Sequence, residues 1–154
     1  MRKHALFALG VTLLLAMTGA LNANDAKEEA IKKDRKRYEG TWQVVSLEVD
    51  GNKVAEDAKK ITVINEADGR WAIEVEGKVI ARGTSEIDPT KKPKAVDLTV
   101  TEGDGKGQIH LGTYEFKGDT RKVCLAPAGK DRPAEFSSKA GSGHILVVLK
   151  RVKK

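Results

Sequence analysis

The sequence has little of three features that often reveal the class of a protein. Cys124 is the single cysteine among 154 residues, so the chain cannot form an internal disulfide and must be stabilised by packing. Aromatic residues make up 5% of the chain, which limits the aromatic lining of any pocket. Basic residues alternate with acidic ones instead of clustering among aromatic residues, so no nucleic-acid interface is predicted.

The one long apolar run lies at the N-terminus. Arg2 and Lys3 form a basic start, residues 5–21 are uncharged and rich in Leu and Ala, and small residues follow. This layout is typical of a secretory signal peptide, with cleavage expected after Ala23 or Ala20. We therefore predict an exported protein, periplasmic or extracellular, with no stable membrane span after cleavage. A retained N-terminal membrane anchor is the alternative.

The rest of the chain changes from a helical pattern to a β pattern. The predicted segments are a signal peptide at 1–23, a charged helical lead at 24–39 and a β-barrel domain at 40–154. Within the lead, a helix is expected over 25–38 with Asp25 as its N-cap, because Glu28 and Lys32 have the four-residue spacing that stabilises a helix. Its thin apolar face indicates that it either rests against another part of the protein or frays.

After residue 40, short β-type runs alternate with turn residues. Strands are predicted near 41–50, 60–66, 70–76, 78–87, 94–101, 108–116, 120–126 and 143–152. Because hairpin-type turns connect most of them, we predict an all-β fold: a single eight-stranded up-and-down antiparallel β-barrel with a short N-terminal helix. The first and last strands are expected to pair and close the barrel, with the helix outside it or across one end.

Two strands depart from simple alternation of apolar and polar residues. Val44 and Val45 are adjacent, and the apolar set of residues 108–116 shifts across Gly112, so a bulge or bend is predicted in each strand. Residues 145–149 are apolar on both faces, and the N-terminal helix is the expected cover of the outer face. The long break before that strand predicts a brief extra strand or a lid near residues 134–137.

Gly40, Thr41 and Trp42 follow the helical lead at the start of the first strand, and Arg151 lies near the end of the last. This combination resembles the lipocalin signature, in which a tryptophan closes one barrel end beneath a basic residue; the resemblance gives Gly40, Trp42 and Arg151 structural roles. A closer resemblance is to a functionally uncharacterised family of small lipocalin-like domains abundant in planctomycete bacteria. The sequence segments on which this resemblance rests are YEGTWQVVS at 38–46, DPTKKPKAVDL at 88–98, GTYE at 112–115, RPAEFSS at 132–138 and GSG at 141–143. It implies the fold and an exported bacterial source, and no activity.

The sequence shows no arrangement of reactive residues. His110 and His144 have no acidic or cysteine partner at metal-ligand spacing, so neither a metal nor a cofactor is predicted. Ser142 lacks the strand-to-helix elbow of a hydrolase nucleophile, and the glycine-rich stretch 103–107 joins two strands instead of opening a phosphate-binding helix. Cys124 is interpreted as a partly covered structural thiol. No enzyme is predicted.

Two functions remain open on the sequence. The first is a binding module for a small apolar or amphipathic molecule inside the barrel, because eight strands enclose just enough space for one small ligand. The candidate ligand-binding residues are Trp71, Ile73, Val75, Val96, Leu98, Tyr114, Phe116, Arg132 and Phe136, with Arg132 orienting a polar end. The alternative is a filled barrel that contacts a protein partner, as an inhibitor does, through the loop at 127–143. No oligomeric state is predicted.

Overall fold

The computed structural model describes residues 22–154, so the predicted signal peptide at 1–23 lies outside the described residues except for its last two positions. The elements in chain order are α1 (Ala23–Tyr38), β1 (Gly40–Val49), β2 (Asn52–Lys53), α2 (Ala55–Ala58), β3 (Ile61–Asn65), β4 (Arg70–Val75), β5 (Lys78–Asp88), β6 (Lys94–Gly103), β7 (Ile109–Lys117), β8 (Thr120–Leu125) and β9 (Ile145–Arg151). All eight predicted strands are present, and the short elements β2 and α2 were not predicted.

Eight strands form one closed antiparallel barrel, which confirms the predicted fold class. Each strand from β3 to β8 pairs with the next, β1 pairs with β3, and β9 pairs with β1. The closing pair runs from Trp42 opposite Arg151 to Val49 opposite Ile145. The two-residue strand β2 pairs with the end of β1 in a tight hairpin. Closure satisfies the backbone hydrogen-bonding groups that an open sheet leaves at its edges.

The helix α1 begins earlier than predicted because its N-cap is Asn22, not Asp25. The Asn22 side chain accepts a hydrogen bond from the Asp25 backbone N–H at 2.9 Å, which satisfies one of the free N–H groups of the first turn. At the other end, Gly40 adopts a φ of 121°, a conformation that side chains with a Cβ rarely take, and the chain turns from helix into β1.

Helix α1 lies across the barrel end where β1 begins, which we call the closed end. Its buried residue Asp34 accepts hydrogen bonds through Oδ2 from Lys94 Nζ at 2.7 Å and from the Tyr114 hydroxyl at 2.8 Å. At the next residue of the helix, Arg35, Nη1 donates a hydrogen bond to Ser85 Oγ at 2.8 Å. These contacts join the helix to β5, β6 and β7, so it seals this end of the barrel.

One of the two predicted bulges is present. In β1 the pairing with β9 shifts between Val44 and Ser46, which leaves Val45 as the extra residue. Val44 points inward and is buried, whereas Val45 is 45% exposed. In β7 the register with β6 and β8 continues without a shift through Gly112, so this strand has no bulge there. Its apolar residues instead occupy both faces of the strand.

The outer apolar faces of β7, β8 and β9 are covered by residues 127–143, which we call the outer segment. Cys124 on β8 donates its thiol hydrogen to the Ser137 carbonyl at 3.3 Å, and the Gly51 N–H donates to Ser138 Oγ at 3.1 Å. Leu146 on β9 lies directly opposite Cys124 on this same face. The prediction that α1 covers β9 was therefore wrong, because the outer segment takes that position.

The outer segment is neither a strand nor a lid over the barrel opening. It is held to the barrel wall by Arg132, whose Nη1 donates to the carbonyls of Val96 at 3.0 Å and Gly112 at 2.7 Å. The guanidinium also lies 2.7 Å from an Asp97 carboxylate oxygen. Between residues 22 and 154, the structure contains no helix long and apolar enough to cross a membrane.

Candidate ligand cavity

The barrel encloses a cavity of about 320 Å³. Aliphatic side chains and one indole form most of its wall: Val44, Leu47, Ile61, Val63, Trp71, Ile73, Ile80, Val96, Leu98, Val123, Leu125, Ile145, Val147 and Leu149. Three polar residues complete the lining: Tyr38, Asn65 and Arg121.

Strand alternation produces this wall directly. On β8 the lining residues are Arg121, Val123 and Leu125, at every second position, and the intervening residue Cys124 faces the outer segment. The same spacing places Ile73 and Trp71 of β4 on the interior face. Because side chains of a strand point alternately to opposite faces, the apolar positions of adjacent strands combine into one continuous surface.

Trp42 lies at the closed end, against the lining residue Arg121, and is fully buried. Its indole N–H donates to the Tyr38 carbonyl at 2.8 Å, which ties β1 to the last turn of α1. The guanidinium carbons of Arg121 and Arg151 lie 4.5 and 4.3 Å from the ring centroid. Arg151 also donates to the Glu39 carbonyl at 2.7 Å. Trp42 is therefore held at the closed end by one hydrogen bond and by contacts with two guanidinium groups.

At the closed end, the side chains of Tyr38, Tyr114 and Phe116 form an aromatic cluster. The Tyr38 ring packs edge-to-face on Tyr114 and Phe116 at centroid distances of 5.1 and 5.2 Å. Burial raises the pKa of both tyrosine hydroxyls well above their usual value, and the hydrogen bond that the Tyr114 hydroxyl donates to Asp34 raises its pKa further. Both phenols are therefore neutral at physiological pH.

Arg121 is the one cationic residue among those that line the cavity in the described chain. It is 3% exposed, and its guanidinium carbon lies 4.5 Å from the centroids of both the Tyr38 and Trp42 rings. Nη1 donates to Asn65 Oδ1 at 2.9 Å. Burial lowers the pKa of Arg121 to about 10, so the side chain keeps its charge at neutral pH.

The opposite end of the cavity reaches the protein surface, and we call it the open end. Ile80 lines the cavity and is 52% exposed. The pairing of β4 with β5 passes from Ile73 opposite Ala81 to Glu74 opposite Val79, so Ile80 is the extra residue of a bulge. This bulge places an apolar side chain at the entrance of the cavity.

Gly83 provides the space for the largest side chain of the cavity wall. A Cβ atom on Gly83 would lie 2.2 Å from Trp71 Cζ2 and 2.0 Å from the Thr99 carbonyl oxygen. The indole therefore packs directly over the β5 backbone, and its N–H donates to the Thr84 carbonyl at 3.0 Å. This contact holds the ring flat against the wall, which keeps the centre of the barrel open.

The structure divides the predicted ligand-binding residues into three groups. The first group is Trp71, Ile73, Val96 and Leu98, which line the cavity, whereas Val75 is paired with the lining residue Ile61 but does not line the cavity itself. The second group is Tyr114 and Phe116, which belong to the aromatic cluster under Tyr38.

The third group is Arg132 and Phe136, which lie on the outer segment. The Arg132 guanidinium bonds to the outside of the barrel wall, and the Phe136 ring faces Lys122 Nζ at 5.9 Å. Arg132 is therefore separated from the cavity by the sheet and cannot orient a ligand inside it. The polar residues that do reach the cavity, Arg121 and Asn65, were missed by the sequence analysis. The signal for Arg121 was its position two residues before Val123 on the same strand face.

The remaining candidate reactive side chains are Cys124, His110 and His144, which lie outside the cavity lining. Cys124 is a buried free thiol, and burial raises its pKa. His110 and His144 each bring Nδ1 near a backbone carbonyl, at 3.1 Å from Ala126 and 3.4 Å from Ser137. Within residues 22–154, no three His, Cys, Asp or Glu side chains are grouped in a way that could hold a metal ion.

Comparisons with known proteins add no family assignment: no family model matches the chain, and no curated protein or solved structure is significantly similar to it. The candidate function therefore rests on the cavity itself.

Proposed function

We propose that this protein is a binding module that holds one small apolar or amphipathic molecule inside its barrel. The observation that supports this most strongly is the apolar cavity of about 320 Å³, open at one end and sealed at the other. Ligand pockets in proteins begin at roughly 300 Å³ and are lined mainly by apolar groups with a few polar ones. The cavity has this size and this lining.

The alternative function, a filled barrel that binds a protein partner through residues 127–143, receives less support. The interior is not filled, and Arg132 uses its guanidinium to attach the outer segment to the barrel wall. Pro133 is buried and Phe136 is only partly exposed. The side chains that favoured a partner in the sequence thus serve to cover the outer face of the sheet.

The test is native mass spectrometry of the protein purified from its own host, in parallel with two variants that add the same phenyl ring. Val123→Phe places the ring in the cavity, and Val45→Phe places it on the exposed surface. We expect a bound small molecule in the wild type and in Val45→Phe, and less of it in Val123→Phe. A wild-type protein without bound mass, whose Trp71 fluorescence is also unchanged by added 1-octanol, would contradict the proposal.

We further propose that the protein is exported and acts without catalysis, as a member of the lipocalin-like family that its sequence resembles. The basic and apolar start of the chain supports export, and the closed barrel with Trp42 beneath Arg151 supports the family. N-terminal sequencing of the native protein should find a chain that begins near Asn24. An intact Met1 would favour a membrane-anchored form instead.

A further inference from the structure

We infer that the closed end of the cavity recognises a carboxylate, and that the ligand is a small amphipathic monocarboxylic acid with its head group on Arg121 and its apolar chain toward the open end. This inference rests on the proposed function, because it requires that the cavity hold a ligand. It goes further by assigning the head group, its orientation and the residue that selects it.

The first observation is that Arg121 has unused hydrogen-bonding capacity. It is 97% buried, yet the structure gives it a single hydrogen bond, from Nη1 to Asn65 Oδ1 at 2.9 Å. Its buried Nε–H has no partner among the described residues. Buried guanidinium groups are normally paired with a carboxylate, because an unpaired buried charge is strongly destabilising.

The second observation is that Asp34, the one buried carboxylate near the closed end among residues 22–154, is already engaged. Asp34 Oδ2 accepts from Lys94 Nζ at 2.7 Å and from the Tyr114 hydroxyl at 2.8 Å. Within residues 22–154, no Asp or Glu forms an ion pair with Arg121. The neighbouring Arg151, on the far side of Trp42, adds positive charge. Two guanidinium groups, those of Arg121 and Arg151, therefore lie against Trp42 at the closed end.

The third observation is the direction from which an anion can approach. Tyr38 and Trp42 flank the guanidinium, with both ring centroids 4.5 Å from its carbon, so its edges remain for hydrogen bonds. Asn65 occupies one position on that edge. The flat, bidentate geometry of a carboxylate matches the N–H groups of a guanidinium edge. The Tyr38 hydroxyl, on another residue of the lining, is buried and likewise lacks a partner in the described structure.

The rest of the lining determines the body of the ligand. Beyond Tyr38, Asn65 and Arg121, every lining residue is aliphatic or tryptophan, up to Ile80 at the open end. At roughly 30 Å³ for each non-hydrogen atom, the space that a water molecule takes in the liquid, 320 Å³ accommodates about ten atoms. A saturated monocarboxylate of that size is octanoate, and 1-octanol is its neutral counterpart with the same chain length.

The test compares the binding of octanoate and 1-octanol to the full mature protein by isothermal titration calorimetry at neutral pH. Two variants remove one positive charge each from adjacent positions of β8. Arg121→Gln changes the cavity, whereas Lys122→Gln changes the outer surface. We expect the wild type and Lys122→Gln to bind octanoate roughly tenfold or more tightly than octanol, and Arg121→Gln to lose this preference.

The outcomes separate this inference from the proposed function. If octanol binds the wild type as tightly as octanoate, the carboxylate assignment is overturned while the binding function stands. If the preference for octanoate persists in Arg121→Gln, another cation holds the head group and the assignment is again overturned. If neither molecule binds, the proposed function fails, and this inference fails with it.

A second measurement covers the case in which Arg121→Gln does not fold. Octanoate labelled with ¹³C at the carboxyl carbon is bound to the wild-type protein and titrated by NMR. Because a nearby cation stabilises the ionised form, the bound carboxyl should have a pKa below that of free octanoate. A bound carboxyl that titrates at or above the value of free octanoate would overturn the assignment.

Discussion

Replacing Trp42 by alanine tests the account of the closed end. The indole is fully buried and lies between the guanidinium groups of Arg121 and Arg151, at 4.5 and 4.3 Å. Its N–H also bonds to the Tyr38 carbonyl at 2.8 Å. The substitution removes a large volume, one hydrogen bond and one of the two aromatic faces that accompany the buried charge of Arg121.

These three losses set the expected magnitude. Truncating a buried tryptophan to alanine costs about 3–5 kcal/mol. The lost indole hydrogen bond contributes about 1 kcal/mol, and a desolvated cation–π contact about 2 kcal/mol. The contributions overlap, so we expect a total at the upper end of the core range, about 5 kcal/mol. Trp42→Phe keeps an aromatic face for Arg121 and should cost about 1–2 kcal/mol.

The measurement is urea unfolding of the mature protein followed by far-UV circular dichroism. Val45→Ala, on the same strand with a 45% exposed side chain, is the control and should change the free energy of unfolding by no more than about 0.5 kcal/mol. A loss below about 1 kcal/mol for Trp42→Ala would refute the reasoning, because it would mean that the indole does not close the barrel.

Three further predictions concern other buried groups. Gly83→Ala should lower the free energy of unfolding by about 1–3 kcal/mol, measured by urea unfolding, since its Cβ would lie 2.2 Å from Trp71 Cζ2; an unchanged midpoint would contradict the described packing. Burial raises the pKa of Tyr38 and Tyr114, the only tyrosines of the chain, above the value of 10.0 that they have in the unfolded state. The free energy of unfolding should therefore fall as the pH rises above 10.0, and phenolate absorbance should appear only when the protein unfolds. Phenolate absorbance near pH 10 in the folded protein would contradict this. The Cys124 thiol should react with a maleimide far more slowly in the folded protein than in urea, and equal rates would show that it is accessible.

The barrel could be predicted from the sequence because its determinants are local. Trp71 and Ile73 occupy every second position between the charged residues Arg70 and Glu74, and this period of two indicates directly which face of the strand is inside. The adjacent residues Val44 and Val45 likewise indicated a bulge that the structure contains. Such signals need no knowledge of which segments meet in space.

The outer segment could not be predicted in the same way. Residues 127–143 have no regular period, so nothing in the sequence indicates that Ser137 bonds to Cys124 or that Arg132 bonds to the outside of β6 and β7. Because the sequence does not show that the outer segment covers β7, the apolar residues on both faces of this strand were interpreted as the sign of a bulge or bend. The bulge that was expected in β7 and the wrong cover that was predicted for β9 therefore have one physical cause.

Arg121 was missed for a different reason. It shares a strand face with Val123 and Leu125, but its charge favoured a solvent-exposed position. The groups that stabilise it inside the barrel, Tyr38 and Asn65, come from segments that are distant in the sequence. A site that depends on such long-range contacts becomes visible only in the folded structure.

The central claim is that a small amphipathic molecule enters the barrel, and methyl NMR tests it most directly. In a protein with ¹³C-labelled valine methyl groups, 1-octanol is added to the folded wild type. We predict that the signals of Val123 and Val147, which line the cavity, shift in a saturable manner, while those of the exposed residues Val45 and Val152 stay in place. Saturable shifts confined to Val45 and Val152, or no shifts at all, would contradict the claim.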